Sequence, residues 1–313
     1  MTKIINKNRL IEMIADDETP DELLADYFDL DKEYSDSFEP LLMIHSEFVH
    51  DDHGEILNGS TAARGILGLM NKRSRRRRQK RFKRKLEAGF EGKIMVSEGD
   101  SWFQYPLFLT DVIDHLSARE DYAIYSLGYA GDWLSNILEE QEYLQPIDQY
   151  APEVFLISGG GNDLVGKQRL EQILKPYGAN RSVEDYFGDE FNAAMDQLAH
   201  LYHHLFSQLH TRFPQMNIIG HGYDYILPDN DKWLGAPMRN LGIEDHELQI
   251  QLARHLIDQF NEMKLRVAAE FDFVHHVDCR GIVNDWFDEI HPNSSNFAKV
   301  SRKFEQLIDQ VSV

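Results

Sequence analysis

The sequence has almost no cysteine. Cys279 is the single cysteine in 313 residues, which excludes a disulfide framework within the chain. No run of about 18 apolar residues is present that could span a bilayer. The first residues, MTKIINKNRLIEMIADDE, also lack the apolar stretch and small-residue cleavage site of a secretory signal. These absences predict a soluble, cytoplasmic protein.

Apolar side chains, by contrast, are abundant. Hydrophobic residues make up 42% of the chain and aromatic residues 11%, which is typical of a packed globular protein with one large or two smaller cores. The sequence pattern changes near residue 90. We therefore predict two parts, a mostly helical N-terminal region at 1–90 and a second domain at 91–313.

Helical patterns dominate the N-terminal region. Short amphipathic patterns occupy 8–17 and 20–30. A longer helix is predicted to begin near Ser60, a residue that favours helix caps, and to end near Gly89. Glycines such as Gly68 weaken the first half of this helix.

The long helix carries an unusual concentration of positive charge. Its basic segment, 72–85, has the sequence KRSRRRRQKRFKRK, with eleven of the 32 basic residues and no acidic one. The segment contributes +11 to a net charge of −21, so the rest of the chain carries −32. We expect acidic groups of the same chain or of a neighbouring subunit to neutralise the segment. Binding of nucleic acid or an acidic membrane is the less favoured alternative.

From residue 91 onward, short β-rich runs alternate with helical patterns. The predicted strands are 93–98, 122–128, 153–158, 216–222 and 271–278, and the predicted helices are 106–119, 131–145, 183–213, 245–270 and 294–311. This alternation predicts a flavodoxin-like three-layer sandwich with about five parallel strands. Ligands of such sheets bind outside the carboxyl ends of the strands.

Four short sequence blocks follow the predicted strands at that edge. They are EGDS with Ser101, LGYAGD with Gly131, SGGGND with Asn162, and DEIHPN with Asp288 and His291. The order of Ser, Gly, Asn and Asp-x-x-His resembles the SGNH hydrolase family, also called GDSL esterases and lipases. The resemblance covers roughly 91–313 and implies an enzyme that hydrolyses carboxylic esters.

The chemistry of a serine nucleophile explains why these residue types occur together. A serine hydroxyl needs a positioned base near neutral pH, and an imidazole oriented by a carboxylate can serve. The resemblance implies that Ser101 is the nucleophile, His291 the general base and Asp288 its orienting partner. It assigns the oxyanion hole to the amides of Ser101 and Gly131 and to the side chain of Asn162. This mechanism needs no cofactor or metal ion.

The substrate pocket is less well specified. Long connections after the third and fourth strands offer apolar and aromatic side chains near the catalytic edge. The candidate wall residues are Trp102, Leu164, Tyr223, Tyr225, Leu227 and Trp233. Their other interpretation is as loop residues packed on the sheet. The substrate is predicted to be a small ester or acylated molecule.

Other motifs indicate different functions. The segment 161–168, GNDLVGKQ, nearly matches a phosphate-binding loop, but Gln168 replaces the Ser or Thr that binds the metal ion. His200, His203 and His204 have a spacing that could hold a metal ion; we interpret them as surface histidines of a helix. A non-catalytic ligand-binding module on the same fold is a further alternative.

Overall fold

The computed structural model describes residues 3–30, 42–45, 47–50, 60–166, 168–229 and 233–311. Within these ranges, four strands belong to the N-terminal region: β1 (Ile5–Asn6), β2 (Phe28–Leu30), β3 (Leu42–Ile44) and β4 (Val49–His50). Five strands form the main sheet: β5 (Lys93–Glu98), β6 (Tyr122–Ser126), β7 (Val154–Ile157), β8 (Asn217–His221) and β9 (Val274–Val277). The main sheet is parallel throughout, in the order β6-β5-β7-β8-β9.

Helices connect these strands. The N-terminal helices are α1 (Lys7–Ala15), α2 (Asp21–Ala25) and α3 (Ser60–Glu87). The helices that follow β5 to β9 are α4 (Val112–Ser117), α5 (Leu134–Glu140), α6 (Leu144–Tyr150), α7 (Gly161–Val165), α8 (Arg169–Ile173), α9 (Asp189–Arg212), α10 (Gly235–Asn240), α11 (His246–Ala268) and α12 (Ser294–Val311). Among the described helices, none is both long and apolar enough to cross a bilayer; the cytoplasmic location stays a prediction.

The main sheet is apolar on both faces because helices cover it. β7 is buried at every position, which is typical of a central parallel strand. The large core contains residues of the sheet and of α4, α5, α9, α11 and α12. The predicted α/β class with five parallel strands is therefore confirmed.

A second, smaller core lies in the N-terminal region. Buried side chains from α1, α2 and α3 form it, and Leu107 and Phe108, from the loop after β5, pack against it. This core therefore contacts the main-sheet part of the chain. The division into domains at residue 90 stays a prediction.

The basic helix α3 lies along the outer edge of β6. Lys85 Nζ donates to the carbonyl oxygen of Tyr122 at 2.6 Å, and Gln79 Nε2 donates to that of Ser126 at 3.1 Å. Between these contacts, Phe82 is 1% exposed. The helix is thus bound to the sheet by both hydrogen bonds and apolar packing.

Carboxylates surround the basic segment. Its ion pairs join Arg73 and Arg77 to Asp21, Arg76 and Lys80 to Asp17, Arg75 to Glu98 and Glu142, Arg78 to Asp111 and Asp114, and Arg84 to Glu18. Whether the segment also contacts an external polyanion stays a prediction.

The observed elements differ from the predicted ones mainly at their ends. The helix predicted at 106–119 is limited to α4, because residues 101–111 form turns around the end of β5. The helix predicted at 131–145 is two helices, α5 and α6. The pattern at 20–30 continues from α2 into β2, whose residues pair with β3.

Candidate active site

A sharp turn at the end of β5 presents Ser101. Gly99, with φ of 155°, has no room for a side chain, because a Cβ atom would lie 2.7 Å from Ser158. The carbonyl oxygen of Asp100 accepts from the amides of Phe103 at 3.0 Å and Gln104 at 2.9 Å. The turn is therefore fixed on both sides of the serine, which is 5% exposed.

His291 and Asp288 approach this turn from the loop before α12. His291 Nε2 lies 2.7 Å from Ser101 Oγ, and its Nδ1 lies 2.9 Å and 2.8 Å from the two carboxylate oxygens of Asp288. A carboxylate only accepts hydrogen bonds, so Nδ1 carries the proton. Nε2 then keeps a lone pair that can accept the hydrogen of Ser101.

Asp288 also binds the backbone of its own loop. Asp288 Oδ1 also accepts from the backbone amides of Ile290 at 3.0 Å and His291 at 2.8 Å. The carboxylate thus fixes both the backbone and the ring of the histidine. The two residues lie in a turn rather than in a helix.

Aromatic rings enclose the histidine. His291 is completely buried, and the rings of Tyr105 and Trp233 contact it edge-on, with centroids 4.8 Å and 5.8 Å away. Burial, together with the nearby charge of Asp288, raises the pKa of Tyr105 well above its ordinary value. The phenol is therefore neutral beside the imidazole.

The three predicted oxyanion groups come from the turn after β5, the loop after β6 and the first turn of α7. Ser101 and Asn162 both line one cavity. Asn162 Nδ2 donates to the carbonyl oxygen of Asp132 at 2.6 Å, which fixes the amide plane and leaves its second N–H. Gly131, adjacent to Asp132, has a φ of 89°, a conformation that favours glycine.

The cavity beside Ser101 is small and apolar, with a volume of about 40 Å³. Its walls come from the nucleophile turn, α7, the loop after β8, α11 and the residue before His291: Asp100, Ser101, Trp102, Gly161, Asn162, Leu164, Val165, Tyr223, Ile226, Leu256, Ile257, Phe260 and Ile290. Such a surface suits a short hydrocarbon group next to a serine hydroxyl.

Three of the six candidate wall residues named from the sequence line this cavity: Trp102, Leu164 and Tyr223. Tyr225 points to Asp258, to which its hydroxyl donates at 3.0 Å. Leu227 is 44% exposed. Trp233 lies on the other side of the site, against His291.

The sequence analysis missed the contribution of α11. Leu256, Ile257 and Phe260 line the cavity, although their spacing is that of an ordinary helix face packed on a core. The position of α11 in the sequence could have indicated this contribution. The helix directly precedes β9, and the loop after β9 carries His291.

A second set of serine, histidine and aspartate lies beneath the first. Ser158 Oγ donates to Asp100 Oδ1 at 2.6 Å and lies 2.8 Å from His221 Nε2. His221 Nδ1 lies 2.8 Å from the carbonyl oxygen of Gly222, which only accepts, so Nδ1 carries the ring proton. Burial lowers the pKa of His221 well below its ordinary value. With both Ser158 and His221 completely buried, this set supports Asp100.

Asp100 receives further hydrogen bonds from the cavity wall. The Tyr223 hydroxyl donates to Asp100 Oδ2, and the Trp102 amide donates to Oδ1 at 3.0 Å. Deeper in the core, Lys264 Nζ donates to the Tyr202 hydroxyl at 2.8 Å. Burial lowers the pKa of Lys264 to about 7, although the charge of Asp100 opposes this shift.

The alternative motifs have other surroundings. In the loop at 161–168, Asp163 accepts from the Leu134 amide at 3.0 Å and Gly161 donates to the Tyr223 hydroxyl at 3.2 Å, so both belong to packed walls; Lys167 lies outside the described residues. His203 pairs with Glu270 at 3.5 Å. Within the described ranges, no group of three His, Cys, Asp or Glu side chains could hold a metal ion.

The five parallel strands, with the four blocks at their carboxyl edge, are the arrangement that the resemblance to SGNH hydrolases predicts. No protein-family model matches the sequence, and a search of curated proteins finds no match.

Several solved structures are similar to the chain at low identity. An extracellular lipase from Streptomyces rimosus has 12% identity and a TM-score of 0.49, and covers 70% of this chain and 100% of its own. A phospholipase A1 from Streptomyces albidoflavus has 14% identity and a TM-score of 0.49, covering 69% and 99%. An acetylxylan esterase from Geobacillus stearothermophilus has 15% identity and a TM-score of 0.43, covering 69% and 94%. This similarity concerns the fold alone.

Proposed function

We propose that this protein is a serine esterase that hydrolyses carboxylic esters. The observation that carries the proposal is the chain of hydrogen bonds through Ser101, His291 and Asp288, with 2.7 Å between nucleophile and base and 2.8 Å between base and carboxylate. The serine also lines an apolar cavity. A hydrolase needs both a nucleophile and a place for the acyl group.

In the first step, Ser101 Oγ attacks the ester carbonyl carbon as its proton moves to His291 Nε2. Asp288 holds the Nδ1 proton and stabilises the imidazolium that forms. The tetrahedral intermediate then collapses: the bond to the alcohol oxygen breaks, and the imidazolium protonates that oxygen. The products are a free alcohol and an acyl group on Ser101.

In the second step, water attacks the acyl carbon as its proton moves to His291; the bond to Ser101 Oγ then breaks, Oγ takes the proton from His291, and the carboxylic acid leaves. Both steps place negative charge on the former carbonyl oxygen. The amides of Ser101 and Gly131 and the free N–H of Asn162 are the proposed donors to that oxygen. Removing one such donor typically lowers turnover by about 10²–10³.

The size of the cavity favours a short acyl chain. A buried water molecule needs roughly 10–15 Å³, so a cavity of about 40 Å³ has room for roughly three heavy atoms. We therefore propose esters with acyl groups of roughly two to four carbons. Longer chains would have to extend out of the cavity or displace packed side chains of α11 such as Leu256 or Phe260.

The test uses nitrophenyl esters of graded acyl length and a fluorophosphonate that labels active serines. The parent should be labelled and should hydrolyse short esters fastest, and Ser101→Ala should lose both properties while its circular dichroism is unchanged. Full activity in folded Ser101→Ala would refute the proposal. A folded parent that is neither labelled nor active on any ester would instead favour a non-catalytic binding module.

A further inference from the structure

The oxyanion loop at 128–131 contacts a helix outside the main-sheet part of the chain. Asn71 of α3 accepts, through Oδ1, a hydrogen bond from the Ala130 amide at 3.1 Å. One turn later, Arg75 Nε donates to the carbonyl oxygen of Gly128 at 3.2 Å. Helix α3 therefore binds this loop from both sides of Tyr129.

The same helix face fits closely against the loop. A Cβ atom at Gly68 would lie 3.3 Å from the Tyr129 hydroxyl, so the glycine provides space for that ring. Gly68, Asn71 and Arg75 lie on one side of the helix, at spacings of three and four residues. The glycine that weakens the helix in isolation thus has a packing role.

Asn71 also reaches the turn that carries the nucleophile. Gln104 Nε2 donates to Asn71 Oδ1 at 2.9 Å and to its backbone carbonyl at 3.2 Å. Gln104 closes the turn around Ser101, because its backbone amide donates a hydrogen bond to the carbonyl oxygen of Asp100. One side-chain oxygen of α3 therefore joins the nucleophile turn to the oxyanion loop.

The side chain of Asn71 acts through its oxygen and not through its nitrogen. Asn71 is completely buried, and its Nδ2 has no hydrogen-bond partner among the described residues. An unpaired buried donor is unfavourable, so the side chain is suited to this position by its acceptor.

We propose that Asn71 is a positioning residue for the oxyanion hole: by holding the Ala130 amide, it places the Gly131 amide relative to Ser101. The inference rests on the proposed function, because it assigns Gly131 to the oxyanion hole. Asn71 does not touch the substrate. It acts through the loop, and a misplacement of a catalytic group by about 1 Å can lower a rate about 10²-fold.

The test compares variants of similar size in the full-length protein. Asn71→Leu removes the acceptor oxygen without leaving a large cavity. Asn71→Asp keeps the acceptor oxygen, and the cation of Arg75 lies one turn away from the new carboxylate. Gln79→Leu is the matched control, since Gln79 bonds α3 to β6 at Ser126, away from Gly131. The readouts are kcat per fluorophosphonate-labelled site, KM, and the midpoint of thermal unfolding.

Asn71→Leu should lower kcat about 10–100-fold with KM within about twofold, because a displaced oxyanion donor acts on the transition state. Asn71→Asp should recover most of this loss, and Gln79→Leu should keep the parent kcat. Asn71→Ser, which cannot reach Ala130, should show the same fall if the leucine variant does not fold.

A parent-like kcat in Asn71→Leu or Asn71→Ser would overturn the inference, as would an aspartate variant no better than the leucine variant. An equal fall in Gln79→Leu would show a general effect of loosening α3 and would also overturn it. These outcomes all require an active parent. An inactive, unlabelled parent would refute the proposed esterase instead.

Discussion

Arg78 should contribute strongly to the stability of the protein. Its side chain is 7% exposed; Nη2 lies 2.5 Å from Asp111 and 2.8 Å from Asp114, and Nη1 donates to the carbonyl oxygen of Phe103 at 2.6 Å. Burial by itself would lower the pKa of Arg78, but the charges of Asp111 and Asp114 raise it above its ordinary value. The guanidinium therefore remains charged.

Changing Arg78 to Gln removes this charge and leaves Asp111, which is completely buried, without its cation. Breaking one partner of a buried ion pair typically costs about 3–5 kcal/mol. Arg76→Gln is the matched control on the same helix, because Arg76 is 45% exposed and its pair with Asp17 spans 3.3 Å. Exposed pairs contribute about 0–1 kcal/mol.

Urea unfolding followed by circular dichroism measures both losses in the free energy of unfolding. Arg78→Gln should lose several times more than Arg76→Gln, and adding Asp111→Asn should recover part of the loss because the unpaired charge is then absent. Similar small losses in the two single variants would refute the reasoning. They would mean that the segment is free to bind an external anion without loss of stability.

Three further predictions concern the site and the core beneath it. His291→Gln should lower kcat about 10²–10⁴-fold, because no base then accepts the serine proton; a parent-like kcat would exclude it as the base. Asn162→Ala should lower kcat more than it raises KM in steady-state kinetics, and the opposite pattern would make it a substrate-binding residue. The pKa of Lys264 is about 7 in the folded protein, against an ordinary value of 10.5. Burying its charge therefore destabilises the folded state below about pH 7, and this destabilisation is relieved as pH rises from 7 toward 10.5. Lys264→Met should therefore gain most over the parent, in unfolding free energy, at about pH 6 and least at about pH 10; a pH-independent difference would contradict this.

Much of the main sheet was predictable because local sequence determines it. The strand predicted at 93–98 and the helix predicted at 294–311 have the observed bounds, since apolar runs and amphipathic periods mark them. The small strands β1 to β4 have only two or three residues each, too few to show a period of two. β1 pairs with β4, whose residues lie more than forty positions along the chain.

The candidate site was predictable where its residues follow strands. Ser101, Asp288 and His291 stand in blocks whose order is visible in the sequence. Phe260 was not, because a residue that lines a cavity from a helix has the same spacing as one that fills a core. The contacts of Asn71 were not predictable either. Asn71 stands directly before the basic segment, and its contacts depend on the path of α3 along β6.

The contacts of α3 with β6 have a consequence for association between chains. β6 is an edge strand of the sheet, and its outward carbonyl groups at Tyr122 and Ser126 would otherwise be open to any extended peptide, including the same strand of another molecule. Lys85 and Gln79 occupy those acceptors. A protein shortened to 91–313 would expose a bare sheet edge, and its tendency to aggregate would follow from lost protection rather than from a damaged core. The basic helix thus covers this edge of the sheet, whatever else its charges bind.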